Sequence, residues 1–323
     1  MCYRSKTVGV VIPAFNEELL IGDTLRSIPE YVDKIYVVDD SSRDRTAEIA
    51  EEFEKNDPRV TCISHEKNKG VGAAIITGYK KALEDKINIA AVMAGDNQMD
   101  PKNLPSLLDP IIDGKADYTK GNRLLYSEFR TGMSKWRTLG NTILTFLTKM
   151  ASGYWQLMDP QNGYTAISAK ALEKINPDSI YPRYGYCNDL LVKLNVFGFK
   201  IEDVAMPAKY GREKSKIRYG RYIFKVSWLL LNGFFWRLKM KYVWLSFHPL
   251  VIFYLFGILL TPIGILGVIF SLYYRFILGG DLFIRGVLSL LIFIIGIQFL
   301  SFAMFFDMQV DGNNQNRIGG FND

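Results

Sequence analysis

The sequence is poor in the residues that build disulfide scaffolds and histidine metal sites. Of its 323 residues, three are cysteine and two are histidine. Cys2, Cys62 and Cys187 are scattered without disulfide or metal-ligand spacing, which argues against a disulfide-stapled fold and fits a reducing compartment. Because His65 and His248 are the only histidines, a histidine-based metal centre is disfavoured.

Targeting and common nucleotide-binding signatures are also missing. Residues 1–6 are polar, and the apolar run at 8–12 is too short for the core of a signal peptide, so we expect the N-terminal domain to stay in the cytosol. Neither the P-loop signature nor the Rossmann glycine fingerprint occurs, and no internal repeat or low-complexity tract is visible. A nucleotide bound here would use neither of those phosphate cradles.

The first part of the chain alternates between short apolar runs and helix-length segments. Apolar runs with the length and composition of buried parallel strands lie at residues 8–12, 34–38, 60–64 and 87–92. Asn16 is predicted to cap the first helix, and the capping-box pattern at 41–44 predicts a second helix over 45–55. This alternation predicts a mostly parallel, right-handed, doubly wound α/β domain.

Polar residues follow several of these strands at their carboxyl ends. Residues 13–17, the pair at 39–40 and residues 95–98 should meet at one edge of the sheet, where open α/β sheets bind ligands. Asp96, with Gln98 two residues on, offers oxygen ligands for a hard divalent cation. The alternative is an aspartate that only caps turn amides, ahead of a helix that Asp100 and Pro101 begin.

Four motifs in this order resemble those of one enzyme family. They are VIPAFNE at 11–17, VVDDS at 37–41, MAGD at 93–96 and DPQNGY at 159–164. The sequence resembles the inverting nucleotide-sugar glycosyltransferases of the GT-A fold, in the dolichol-phosphate mannose synthase branch that makes polyprenyl-phosphate sugars. The resemblance covers roughly residues 7–220. It implies a Rossmann-like, mostly parallel α/β catalytic domain of the GT-A fold.

The resemblance implies a nucleotide site and a metal site. Nucleotide contacts carried over by position are Pro13, Phe15, Glu17, Asp39, Asp40, Lys69 and Gly70. Of the aspartate pair, Asp40 matches the reader of base and ribose best, although helix capping is an alternative. Asp96 and Gln98 would be ligands of Mg²⁺ or Mn²⁺ on the donor diphosphate. The family usually carries a second acid where Ala94 stands, so water or diphosphate oxygens would complete the metal shell.

The same resemblance implies residues that bind phosphate and the acceptor. They are Arg123, Arg137, Asn162, Arg212, Ser215 and Lys216. Two phosphate-bearing substrates repel each other, so several cations are needed where they meet; the alternative for each arginine is a solvated surface residue. Asp96, Asp189, Arg123 and Arg137 are the catalytic candidates. Asp189 matches a catalytic base of related enzymes, but an ionised acceptor phosphate needs little base, so an orienting role is the alternative.

The last third of the sequence is apolar enough to enter a membrane. Runs at 250–274 and 287–308 are long enough to span a bilayer, and residues 275–285 form the predicted loop between them. Basic residues dominate residues 209–241, with Glu213 as the only acid. The positive-inside rule therefore places the catalytic domain and the C-terminus in the cytosol. The predicted divisions are a catalytic domain at 1–219, interfacial amphipathic helices at 220–245, a two-helix membrane region at 246–309 and a disordered tail at 310–323.

The sequence therefore predicts an enzyme that transfers a sugar from GDP-mannose or a UDP-sugar to a polyprenyl or dolichyl phosphate, with inversion. Its expected partners are the donor, the lipid phosphate and the bilayer, and no nucleic acid. A homo-oligomer that pools its membrane helices stays an open alternative. Two other functions remain: a membrane glycosyltransferase for a different lipid or a polysaccharide, and a nucleotide-sugar-binding membrane protein without turnover, which Ala94 favours.

Overall fold

The computed structural model describes residues 2–123, 135–207, 219–245 and 247–316. Within its helices, the side chains of residues 135–139, 141, 219–223 and 313–316 lie outside that description. The chain divides into two compact units, Met1–Phe234 and Phe235–Asp323.

The first unit is built on a seven-stranded sheet. Its strands are β1 (Val8–Ala14), β2 (Lys34–Asp39), β3 (Val60–Ser64), β4 (Ile89–Val92), β5 (Tyr118–Asn122), β6 (Thr165–Ser168) and β7 (Ile201–Ala205). Their order is β3-β2-β1-β4-β6-β5-β7. Only β6 runs antiparallel to its neighbours, and the other pairs are parallel. The predicted mostly parallel α/β domain is confirmed.

Helices connect these strands. They are α1 (Ile21–Ser27), α2 (Thr46–Asn56), α3 (Val71–Glu84), α4 (Leu104–Ile112), α5 (Lys135–Ser152), α6 (Ala169–Ile175) and α7 (Tyr186–Val196). The central strands are buried on both sides: Val10 and Ile12 belong to one apolar cluster, whereas Val11 belongs to the other. That double burial explains why β1 reads as a continuous apolar run instead of an alternating one.

The predicted start of α1 and the predicted capping box of α2 are wrong, although α2 itself lies within one residue of its predicted range. Asn16 does not cap α1; its backbone is left-handed (φ 56°), and its side chain accepts a hydrogen bond from the Arg43 amide at 2.9 Å. The helix starts later, at Ile21. The capping box before α2 does not form either, because the Asp44 carboxylate accepts from the Thr46 amide and hydroxyl. Both errors arise because these polar side chains tie the β1 and β2 loops to each other.

Helix α8 (Tyr219–Lys239) and a π-helical turn (Met240–Leu245) occupy the region predicted to lie at the membrane interface. In the part of α8 whose side chains are described, Val226 and Leu230 are buried, whereas Phe224 and Trp228 are exposed. An exposed aromatic face beside lysine and arginine is typical of a helix that lies on a lipid surface.

Two long helices follow, α9 (Leu250–Leu278) and α10 (Phe283–Asn316), each long and apolar enough to cross a bilayer. The two helices approach closely at Gly264 and Gly296. A Cβ atom at Gly264 would lie 2.4 Å from the Phe293 nitrogen, and one at Gly296 would lie 2.6 Å from the Thr261 nitrogen. Small residues of this kind let membrane helices pack backbone to backbone.

The second unit corrects two sequence-based boundaries. The predicted loop at 275–285 is mostly helical, which leaves residues 279–282 as the connection. The tail predicted to be disordered from 310 is helical through Asn316, because α10 continues past its apolar span and buries Asp311. Adding residues to an existing helix costs far less than starting one. Residues 317–323 lie outside the described chain.

Candidate active site at the carboxyl edge of the sheet

The turn after β4 forms one wall of a cavity in the first unit. Asp96 accepts a hydrogen bond from the Gln98 amide at 3.0 Å, and Asn97 between them is left-handed (φ 55°). Asp100 caps the next helical turn, as predicted, by accepting from the Lys102 amide. The cavity is lined by Asp96, Gln98, Met99, Asp100, Asn103, Arg123, Asn162, Gly163, Tyr164, Met206 and Pro207.

The oxygen donors of this turn fit a hard divalent cation that keeps several non-protein ligands. Asp96, Gln98 and Asp100 all face the cavity, and carboxylate and amide oxygens are the ligands that Mg²⁺ and Mn²⁺ prefer. Among the described residues, no group of three or more His, Cys, Asp or Glu side chains forms a metal cage. Asp96 and Gln98 are the residues of this turn that would hold such an ion.

Ala94 occupies the position where the resembling family carries its first acid. Its amide donates to the Met99 sulfur at 3.2 Å, and Met99 itself lines the cavity. A thioether is too soft to replace a carboxylate at a magnesium site. Asp96 is left as the acid of the motif, in agreement with the sequence-based interpretation.

The structure gives different roles to the two aspartates after β2. Asp40 is buried, and both of its carboxylate oxygens have partners. They accept from the Lys69 and Gly70 amides at 2.9 and 2.8 Å, and one lies 2.8 Å from His65 Nδ1. Asp39 accepts from the Ser42 amide through one oxygen, whereas its other oxygen is buried and has no partner among the described residues. Asp39 therefore has an oxygen without a protein partner, whereas both oxygens of Asp40 accept from backbone amides.

Backbone amides in and after the glycine turn that precedes α3 donate hydrogen bonds to other parts of the protein. Asp40 takes two of its amides, and the Ala73 amide donates to the Pro182 carbonyl at 2.8 Å. A Cβ atom at Gly72 would lie 2.6 Å from the Tyr181 carbonyl oxygen, so this position has room only for glycine. The amides of Lys69 and Gly70 thus donate to Asp40, which leaves the Lys69 side chain as a candidate for a nucleotide contact.

The end of β1 lies beside the β4 turn, as the parallel pairing of the two strands requires. The Gly95 amide points to the Pro13 carbonyl at 3.4 Å, and the Glu17 amide donates to Thr46 Oγ1. Phe15 is 41% exposed, which leaves its ring free to stack on a base or sugar. Pro13, Phe15 and Glu17 therefore reach the edge predicted for them.

Arg123 comes to the cavity already paired with an acid. Its guanidinium binds both oxygens of Asp159, with Nε at 2.8 Å and the second nitrogen at 3.2 Å. Asp159 is almost fully buried. Phosphate binding by Arg123 must therefore compete with this carboxylate or share the guanidinium with it. Of the other residues predicted to bind phosphate, Arg212, Ser215, Lys216 and the Arg137 side chain lie outside the described residues.

Asp189, at the start of α7, does not line the cavity. Its carboxylate forms an ion pair with Lys193 and accepts from the Tyr181 amide at 2.8 Å. The preceding residue, Asn188, contacts the motif at 159–164 instead: its Oδ1 accepts a hydrogen bond from the Gln161 side chain at 3.0 Å. This geometry favours the orienting role for Asp189 over the role of a base.

Sequence reasoning missed a buried lysine and a half-buried aspartate in neighbouring strands beside the cavity. Lys120 on β5 is fully buried, and Asp203 on β7 accepts from Asn122 and from the Met158 amide. A charged residue inside a short strand is the signal that points to such a set. Burial raises the pKa of Asp203 to about 6, reinforced by Asp159 and opposed by those hydrogen bonds and by Lys120.

Replacing Asp203 with asparagine should make stability less dependent on pH. Because the folded-state pKa is raised, the folded protein holds a proton that the unfolded chain has released between about pH 4 and pH 6. The free energy of unfolding therefore falls as pH rises through that window, and Asp203→Asn removes the fall. We expect the variant to gain about 1–2 kcal/mol relative to wild type between pH 4.5 and pH 7, measured by thermal unfolding.

The neighbouring exposed Glu202 provides the matched control for this measurement. Glu202→Gln makes the same change of charge on the same strand and should leave the pH dependence of the melting temperature as in wild type. If the difference between Asp203→Asn and wild type stays constant from pH 4.5 to pH 7, the raised pKa of Asp203 is contradicted.

Comparisons with known proteins point to one family. The model of a family described as Glycosyl transferase family 2 matches residues 9–176. The UDP-N-acetylglucosamine–dolichyl-phosphate N-acetylglucosaminyltransferase of Methanococcus voltae is 34% identical, over 59% of this chain and 83% of the relative. The polyprenol monophosphomannose synthase of Mycolicibacterium smegmatis is 30% identical, over 60% and 74%.

Solved structures confirm the fold class. The glucosyl-3-phosphoglycerate synthase of Mycobacterium tuberculosis, in a complex with Mn²⁺, UDP and its product, matches with a TM-score of 0.56. It is 20% identical, and the match covers 71% of this chain and 80% of that protein. This likeness confirms the GT-A fold expected from the sequence.

Proposed function

The chain belongs to glycosyl transferase family 2, and from that membership we propose that it transfers a sugar from a nucleoside diphosphate sugar to a polyprenyl or dolichyl phosphate. The observation that carries this proposal is the cavity that brings the Asp96–Gln98 turn together with Arg123 and Asn162. The apolar helices α9 and α10 support a lipid-borne acceptor. So do the curated relatives, whose names specify dolichyl phosphate and a polyprenol product.

The donor is held by the edge formed by β1, β2 and β4. We assign Asp39 to the base or ribose, since it has the spare buried oxygen, and Phe15 to stacking. Asp96 and Gln98 would hold Mg²⁺ or Mn²⁺ on the diphosphate. When bound, such an ion neutralises charge on the departing nucleoside diphosphate. UDP-N-acetylglucosamine and a mannose donor are the first candidates, because they are the sugars in the relatives' names.

The acceptor supplies its own nucleophile. A phosphate monoester has a second pKa of about 6, so its oxygen is largely ionised at neutral pH. That oxygen attacks the anomeric carbon in line, the bond to the diphosphate breaks and the configuration inverts. Arg123 orients a phosphate at the cavity wall. No general base is required, which agrees with the engagement of Asp189 by Lys193 and Tyr181.

Charge distribution supports a cytosolic active site. Lysine and arginine dominate residues 209–241, immediately before α9, and basic residues next to a span favour the cytosolic side. With two crossings, the C-terminus returns to that side. The exposed Phe224 and Trp228 of α8 would lie in the cytosolic leaflet, from which a lipid phosphate is reached.

The function is tested with detergent-purified protein and a panel of labelled nucleotide sugars. Each donor is combined with undecaprenyl or dolichyl phosphate, with Mg²⁺, Mn²⁺ or a chelator. We expect a lipid-linked sugar from one class of donor, and loss of that product with the chelator. Nucleoside diphosphate binding without product from any pair would instead support a binding protein without turnover.

Substitution of Asp189 separates the orienting role from the role of a base. In Asp189→Asn the amide oxygen still accepts from the Tyr181 amide, but the ion pair with Lys193 is lost. We expect kcat to fall by less than about tenfold, since general-base catalysis typically contributes 10²–10⁴-fold and is not used here. A loss of several hundredfold at unchanged melting temperature would make Asp189 a base and would disfavour a phosphate acceptor.

A further inference from the structure

Lys120 is a buried cation without a carboxylate partner among the described residues. Its side chain is fully buried in β5, and its ammonium donates to the backbone carbonyl of Asn162. Asp203 is near enough to feel its charge: its Oδ2 accepts from Asn122 and the Met158 amide, and its Oδ1 is buried without a hydrogen-bond partner among the described residues. An ammonium is costly to bury, so a position that holds one with a single carbonyl needs an explanation beyond packing.

The geometry of the Asn162 carbonyl indicates where that charge acts. This oxygen faces Lys120 and also the Cys187 thiol at 3.9 Å. No cis peptide bond is present in the described chain, so the amide of Gly163 points away from Lys120, opposite to the carbonyl of the same planar peptide. Gly163 lines the cavity with Asp96 and Arg123. No acceptor for its amide is found among the described residues.

The charges that line the cavity also favour an electrostatic role for Lys120. Asp96 and Asp100 line it, and Arg123 is largely offset by its ion pair with Asp159. These carboxylates repel phosphate groups that enter the cavity, and the buried charge of Lys120 next to Asn162 would offset that repulsion. Salt screens a buried charge much less than an exposed one.

We propose that Lys120 is a positioning residue for phosphate, acting through the Asn162–Gly163 peptide. Its ammonium fixes and polarises that peptide, so the Gly163 amide donates to a phosphate oxygen in the cavity, and its charge attracts the same group. The inference rests on the proposed function for the identity of the ligand. The phosphate belongs either to the donor diphosphate or to the lipid carrier, and the two are distinguished by separate binding measurements.

Two substitutions at Lys120 and one control isolate its charge. Lys120→Met keeps the length of the side chain and removes the charge. Lys120→Gln also removes the charge but keeps a hydrogen-bond donor, and it decides the test if the methionine variant does not fold. Lys115→Met is the control, because Lys115 is 68% exposed and pairs with Asp113 at the surface.

Binding is measured without turnover. UDP and GDP are titrated by calorimetry, and undecaprenyl phosphate is compared with undecaprenol by thermal shift in detergent. We expect both Lys120 variants to bind UDP, GDP or undecaprenyl phosphate about tenfold more weakly, which corresponds to about 1.4 kcal/mol. Binding of undecaprenol and all properties of Lys115→Met should be as in wild type. Weaker binding of UDP or GDP would assign Lys120 to the donor diphosphate, and weaker binding of undecaprenyl phosphate would assign it to the lipid carrier.

Folded Lys120 variants that bind all three phosphate ligands like wild type would overturn the inference. The proposed function fails separately. Suppose that wild type binds the phosphate ligands more tightly than the Lys120 variants but makes no lipid-linked sugar from any donor. The positioning role of Lys120 is then supported and the proposed transferase reaction is contradicted. If wild type makes the product and the variants bind normally, only the role of Lys120 falls. A wild-type protein that binds none of the three phosphate ligands contradicts both.

Discussion

Replacing Asp96 with asparagine is expected to lower turnover at least a hundredfold while the protein stays folded. Asn keeps an oxygen that can accept from the Gln98 amide, so the turn after β4 should be preserved. It loses the negative charge that a divalent cation requires, and Ala94 offers no second acid to compensate. The loss should appear mainly in kcat, with a higher metal concentration needed for half-maximal activity.

Asp23 on the surface of α1 is the matched control for this substitution. It is 59% exposed, pairs with Arg26 and does not line the cavity. Asp23→Asn should leave both kcat and the metal dependence unchanged. Turnover of Asp96→Asn within about threefold of wild type, at the same metal requirement, would remove Asp96 from the metal site.

The second large effect is expected at a buried ion pair in the C-terminal unit. Arg237 and Asp307 are 0% and 1% exposed and form two parallel hydrogen bonds of 2.8 Å. The Tyr242 hydroxyl donates to the same carboxylate at 2.6 Å. This bidentate arrangement joins the end of α8 to α10. Asp307→Ala leaves the guanidinium buried without its counter-ion, and we expect a loss of about 3–5 kcal/mol in the free energy of unfolding.

A double substitution tests whether charge imbalance causes that loss. Arg237→Met combined with Asp307→Leu removes both charges, and we expect it to recover most of the stability, because replacing a buried pair by apolar residues is often neutral. Thermal unfolding in detergent measures all variants. Arg275→Met, at an exposed position of α9, is the control. If Asp307→Ala melts within about 2 °C of wild type, the ion pair does not stabilise this unit.

Much of the fold was predictable because buried parallel strands have a plain sequence signal. The run at 60–64 is β3 to the residue, and the cap at Asp100 follows from Asp-Pro before an apolar helix. The start of α1 and the capping of α2 were not predictable. Their local cap signals were correct in residue type, but the side chains are used for hydrogen bonds between loops far apart in the sequence. Tertiary contacts overrode local preference there.

The site was predictable in its position but not in the division of roles. Asp39 and Asp40 are adjacent residues of the same type, and the sequence does not show that Asp40 accepts from the amides of Lys69 and Gly70. Lys120 carries no signal of its function either, because its effect depends on the orientation of a peptide 42 positions later in the chain. Such contacts between distant segments are set by the packed fold.

The most direct test of the central claim is the stoichiometry of the reaction with the active donor. Wild-type protein, undecaprenyl phosphate and the labelled nucleotide sugar are incubated with metal, and released nucleoside diphosphate is compared with lipid-linked sugar. A single transfer to the lipid phosphate predicts one nucleoside diphosphate per sugar–phosphate–lipid, and no product with undecaprenol. Release of nucleoside diphosphate without lipid-linked sugar, or equal product with undecaprenol, would contradict transfer to a polyprenyl phosphate.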